Sequence, residues 1–167
     1  MLVSPWFTWI SGASAAVLGF AAVFWLTSPA PPPPGVAILA SATVSDATGL
    51  MAAVQTAGLR GSPDVKGAIE GLKRIDNERV TIKGWAVDKN ASSSPLTIVA
   101  FAGGPNVLTT VTSGPHKDVA QMFGLSDTAA RSVSFEAGFT CSKGQNLIVV
   151  AVTPDRTYSQ FRSLVCP

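Results

Sequence analysis

VTIKGWAVD (80–88) decides how this chain is read, because its apolar residues fit two strand phases. Strict alternation puts Val80, Ile82, Gly84 and Ala86 on one face and leaves Lys83, Trp85 and Val87 on the other. One extra residue at Gly84 would shift the phase and bring Val80, Ile82, Trp85 and Val87 together. Glycine inside a strand often marks such a bulge. The bulged phase is the one expected here. It predicts that Trp85 is buried against the facing sheet, with Phe135 or Phe139 beside it, and that Asp88 closes the turn that follows.

Outward from this stretch, residues from about 67 onward form short apolar runs separated by turn residues. The expected strands are 68–75, 79–88, 96–102, 106–112, 132–140, 146–153 and 157–165. The breaks between them are rich in Gly, Asn, Asp, Pro and Ser, which supply positive φ, preset φ or local side-chain hydrogen bonds. Many short strands at this spacing predict an Ig-like antiparallel β-sandwich. HKDVAQMFG (116–124) is the one short helix of the module, with Val119, Met122 and Phe123 at helical spacing and Gly124 as a C-cap. His116 is expected to cap it, and the helix to lie across an open end of the sandwich.

Upstream the character changes. The chain has 167 residues, with 12 Lys and Arg against 10 Asp and Glu, and the first charge is Asp46. WFTWISGASAAVLGFAAVFWLT (6–27) is free of charge. At ~1.5 Å per helical residue it matches the ~30 Å hydrocarbon core of a bilayer. Trp6 and Trp9 at one end and Trp25 at the other suit the two interfaces, and Gly12 and Gly19 would let another membrane helix approach. Residues 1–27 therefore read as a single transmembrane anchor. A cleaved signal peptide is the competing reading, with Ala40-Ser41-Ala42 as a small-residue cleavage site; the missing n-region charge and the length of the run oppose it. SPAPPPPG (28–35) reads as a polyproline spacer, and residues 28–66 as a linker and tether. Within it, Asp46 could cap a short helix over 46–55, interrupted by Gly49 and Gly58.

GWAVD (84–88), HKDVAQMFG (116–124) and AGF (137–139) together resemble a small β-sandwich module of bacterial envelope and glycan-associated proteins. In that module a GWAxD strand precedes an RxDVAxxxG helical turn and an SGF strand. The resemblance covers about residues 67–165 and assigns Gly84, Trp85, Asp88 and Asp118 to its structural motifs. His116 stands where the module usually has Arg, and Ala137 where it usually has Ser. The resemblance implies a module appended to glycan-handling enzymes or membrane proteins, here on a chain with no room for a catalytic domain.

Cys141 and Cys166 are the only cysteines. In an exported domain they read as one disulfide. If strands 132–140, 146–153 and 157–165 formed a meander, the first and third would lie ~9–10 Å apart. That exceeds the ~4.4–6.8 Å between disulfide-linked Cα atoms. Either the bond forms beyond the end of the middle strand, or strand 132–140 belongs to the other sheet.

Chemistry is sparse. The net charge of +2 is too small to argue for nucleic acid. Ser113, His116 and Asp118 could be written as a triad, but no nucleophile elbow accompanies them. No spacing of His, Cys and Asp suits a metal, and no cofactor motif is present. Lys73-Arg74 reads as a solvated strand edge. The sequence thus predicts a non-catalytic protein of the bacterial inner membrane. Its single-pass anchor would hold an interaction or structural module in the periplasm, as an accessory subunit among other membrane proteins. An envelope glycan-binding module, with Trp85 stacking on sugar, is the first alternative; a small hydrolase is the second.

Overall fold

A computed structural model describes residues 32–33, 35–91, 93–103 and 107–167. The elements in chain order are α1 (Val36–Ala40), α2 (Ala47–Thr56), β1 (Arg60–Gly61), β2 (Val65–Arg74), β3 (Arg79–Asp88), β4 (Thr97–Phe101), β5 (Val107–Val111), α3 (Lys117–Met122), β6 (Ser134–Thr140), β7 (Asn146–Val152), β8 (Thr157–Gln160) and β9 (Leu164–Val165), with a 3₁₀ turn at Ala129–Ser132. The fold is mainly β, in two sheets. The first runs β1-β8-β7-β4-β5, with β9 also paired to β7, and the second runs β2-β3-β6. All the ladders are antiparallel except β1 on β8, which is parallel and departs from the all-antiparallel expectation.

The sheets pack face to face. Val80, Ile82, Ala86 and Phe135 of the second sheet meet Ile98, Ala100, Leu147, Val149 and Ala151 of the first in one buried cluster. The opposite face of the first sheet is covered as well. Val99, Phe101, Ile148, Val150 and Val152 pack against Val36, Leu39, Val44, Leu50 and Val54. Residues 36–66, expected to be a tether, are thus folded structure, and the compact unit begins at Pro32. The physical reason is the first sheet's own sequence: TIVAF and the LIVVAV of β7 are buried at every position, so both faces need a cover.

The local chemistry of that helical layer is simple. The Asp46 side chain accepts a hydrogen bond from the Gly49 amide at 2.8 Å and caps α2. Gly58 does not interrupt the helix but ends it. It adopts φ 66°, and the Leu59 amide donates back to the Val54 carbonyl at 2.9 Å. Among the described residues there are thus three α-helices: α3, expected in the sandwich, α2, where Asp46 was expected to cap one, and α1, which the sequence did not announce.

The phase of β3 corrects the expectation drawn from Gly84. Its ladder with β6 runs without interruption from Arg79↔Thr140 to Trp85↔Ser134. Alternation is strict: Val80, Ile82, Gly84 and Ala86 face the core, and Trp85 lies on the outer face. Phe135 and Phe139 belong to the same sheet as β3, opposite Gly84 and Val80, and are not neighbours across the core. Gly84 is glycine because space demands it. A Cβ there would come within 2.3 Å of the Ala68 carbonyl oxygen and 2.9 Å of the Phe135 ring.

A bulge does exist, one strand over. The β2·β3 register shifts between Ile69 and Gly71, leaving Glu70 as the extra residue. It keeps both Ile69 and Leu72 on the core side despite their odd spacing.

The disulfide resolves as the second of the two possibilities. β6 lies in the second sheet, while Cys166 follows β9 on the first, so Cys141–Cys166 ties the sheets together with Cα atoms 6.2 Å apart. Beside it, the Arg74 guanidinium donates to the carbonyls of Asp76, Asn77, Cys141 and Pro167 at 2.7–3.2 Å. Arg74 is thus a clasp joining the end of β2, its turn and the disulfide, and not a free surface cation.

Among the described residues no helix is long and apolar enough to cross a membrane. The span expected over 6–27, with Trp6, Trp9, Gly12, Gly19 and Trp25, lies outside them.

Candidate functional site

The outer face of the second sheet carries the residues the sequence singled out. Trp85 and Val87 project from β3, and α3 lies over them through Val119 and Phe123 rather than across an end of the sandwich. Val87, Val119 and Val133 are buried there, with Trp85, Phe123 and Leu125 packed around them. The Trp85 ring is 5.8 Å from that of Phe123 and stands edge-on to His116 at 6.5 Å. Lys89 Nζ sits 5.7 Å from the Phe123 centroid, a cation–π distance.

His116 organises the neighbouring groove. It is the N-cap of α3, and its Nδ1 accepts from the Val119 amide at 3.4 Å. Its Nε2 is 2.8 Å from Glu70 Oε1. Both bonds are satisfied together by the tautomer with hydrogen on Nε2, donating to the carboxylate. Glu70 reaches His116 because the β2 bulge turns it out of the ladder, so a bulged residue and a helix cap meet across two elements. The groove around them, about 500 Å³, is lined by Glu70, Lys83, His116, Lys117, Asp118, Ser134 and Glu136 among others.

The sequence-selected residues do not converge on one chemistry. Asp118 lies in the first turn of α3, where a carboxylate suits the helix dipole, and borders the groove. Asp88 is buried at the far end of β3, where its Oδ1 accepts from the Asn90 amide at 2.9 Å. Ser113 lines the groove, but both ring nitrogens of His116 are engaged elsewhere, leaving none to take a serine proton. Among the described residues no three His, Cys, Asp or Glu side chains are grouped to hold a metal ion.

Sequence reasoning assigns no role to Glu70 and misplaces Arg74, which reads with Lys73 as a solvated strand edge. A signal for Glu70 was present: Ile69 and Leu72 are both apolar but three apart, a spacing no regular strand can bury on one face. Arg74 left no such mark, since its acceptors are backbone carbonyls brought from distant parts of the chain.

No protein-family model and no curated protein matches the chain. Among solved structures, it is similar to the sensor domain of the anti-sigma factor RsgI4 from Pseudobacteroides cellulosolvens, at a TM-score of 0.37 and 10% identity over 64% of this chain and 97% of that one. A likeness at that level assigns no function.

Proposed function

We propose that this chain is a single-pass protein of the bacterial inner membrane, whose folded part is a non-catalytic, Ig-like interaction module displayed in the periplasm as an accessory subunit of a larger membrane assembly. The observation that carries the reading is the inter-sheet disulfide Cys141–Cys166, in a domain that follows a charge-free apolar run. Disulfides persist in oxidising compartments, and the run at 6–27 is long enough to hold the domain at a membrane. The engagement of both His116 nitrogens supports a structural role for that histidine over a catalytic one.

The test is purification of the intact chain from native membranes in mild detergent, with the companions identified by mass spectrometry. A companion at stoichiometric amount, with the chain in the membrane fraction and its thiols resistant to labelling, supports the proposal. A chain recovered alone overturns the accessory role. A chain in the soluble fraction with labelled thiols overturns the compartment.

A further inference from the structure

The sheet edges are not protected alike. Exposed strand edges invite pairing with another chain, and proteins blunt them with charge, proline, bulges or shortness. β1 and β9 are two residues each. β2 carries Lys66, Glu70, Lys73 and Arg74 as well as its bulge, and β6 carries Glu136. β5 has no charge, proline or bulge, and among the described residues only its Val111 end is flanked, by the Gly114–Ser134 bridge to β6. Its five residues, VLTTV, are uncharged, free of proline and in unbroken register with β4.

The direction of its backbone groups follows from one bond. The Thr112 amide donates to the Leu96 carbonyl at 2.9 Å, which extends the register Ile98↔Thr110 and Ala100↔Leu108. Residues 108, 110 and 112 therefore bond to β4, and the amides and carbonyls of Val107, Thr109 and Val111 point away from the sheet. That side already accepts a backbone partner at its end, where the Ser113 amide donates to the Ser134 carbonyl at 2.9 Å. From 107 to 111 no described backbone group bonds to it. The side chains of Val107, Thr109 and Val111 share the face of Phe101 and Val99, where Val107 packs against the helix-side cluster while Thr109 and Val111 are exposed, Val111 by 50%.

We propose that the β5 edge is a self-association surface, at which two copies of this chain pair antiparallel about a two-fold axis at Thr109 and join their first sheets into one. The edge is complementary to itself. With Thr109 opposite Thr109 of the second copy, Val107 falls opposite Val111, no like charges meet, and the exposed Val111 gains an apolar neighbour. Each outward residue of one copy would exchange two backbone bonds with its opposite.

Sedimentation equilibrium of the full chain in density-matched detergent tests this. The wild type is expected to be a dimer. Thr109→Lys and Thr109→Asp each set two like charges at the axis and should weaken association more than about tenfold. An equal mixture of the two should restore it. Thr109→Pro removes an outward amide without touching the β4 ladder, and should give a monomer with unchanged tryptophan emission. A monomeric wild type overturns the proposal, as does a dimer indifferent to these substitutions or a mixture that fails to reassociate. If Thr109→Pro does not fold, the charge-pair mixture decides.

Discussion

The two sheets bury their strands by different rules. In the first, β4 and β7 are apolar on both faces, and each face has a cover: the second sheet on one side, α1 and α2 on the other. In the second, β3 alternates, with Val80, Ile82 and Ala86 in the core and Thr81, Lys83 and Trp85 outside. Among the described residues, only the Trp85 end of its outer face is covered, by α3. A continuous apolar run demands two partners and recruits chain from far away. An alternating run demands one and leaves a face free to carry the groove beside His116.

Substituting one aromatic from each sheet should break the comparison most visibly. Phe101 is fully buried between the first sheet and the helices, so Phe101→Ala should cost about 3–5 kcal/mol. Trp85 is half-buried on the outer face, and Trp85→Ala should cost roughly half as much or less. Urea unfolding followed by circular dichroism measures both. Equal losses would mean that the outer cluster is as much a core as the inner one.

The bond between the sheets comes next. Cys141→Ser opens a loop with a sequence separation of 25. The chain-entropy account gives about 3–4 kcal/mol for that closure. Thermal unfolding of the variant against wild type checks the magnitude, and an unchanged melting temperature would show that the sheets hold without their tie.

Gly84→Ala sharpens the phase of β3. The added methyl would press on the Ala68 carbonyl oxygen and the Phe135 ring, so a loss of about 1–3 kcal/mol is expected. A neutral substitution would revive the bulge at Gly84 and with it a core position for Trp85.

The smallest effect sits at the β2–β3 turn. Asp76 accepts from the Glu78 and Arg79 amides at 3.0 and 2.8 Å and pairs with the Arg79 guanidinium. The backbone bond from Glu78 comes first among the causes that lower its pKa to about 2, followed by the backbone and side-chain bonds from Arg79. The native state thus favours the carboxylate. Its contribution is whole above the ordinary value of 3.8 and fades as pH falls toward 2. Stability measured across that window should fall less steeply in Asp76→Asn than in wild type. Parallel profiles would show that the turn is indifferent to this charge.

Much of the fold was legible because period-2 patterning and turn chemistry are local. The strand 79–88 was located at its observed bounds, and 146–153 and 106–112 to within a residue. The last strand was read as 157–165 but breaks after Gln160, where Phe161 turns inward against Gly67. The Asp46 cap was visible in sequence for the same local reason. The pairing of the two cysteines was also readable, since two cysteines in a disulfide-forming domain leave one choice.

Tertiary structure decided the rest. Whether Gly84 or Glu70 absorbs the register shift depends on which strand must fit the other's core residues, since a glycine stands at the first position and, as Gly71, beside the second. The strand phase sent Trp85 outward, where α3 gives it Phe123 and His116 as neighbours. The apolar runs of β4 and β7 announced a second cover without saying which segment supplies it. Only the folded chain shows that residues 36–57 do, because burial on the far face of a sheet joins segments far apart in the chain, and sequence spacing records none of it.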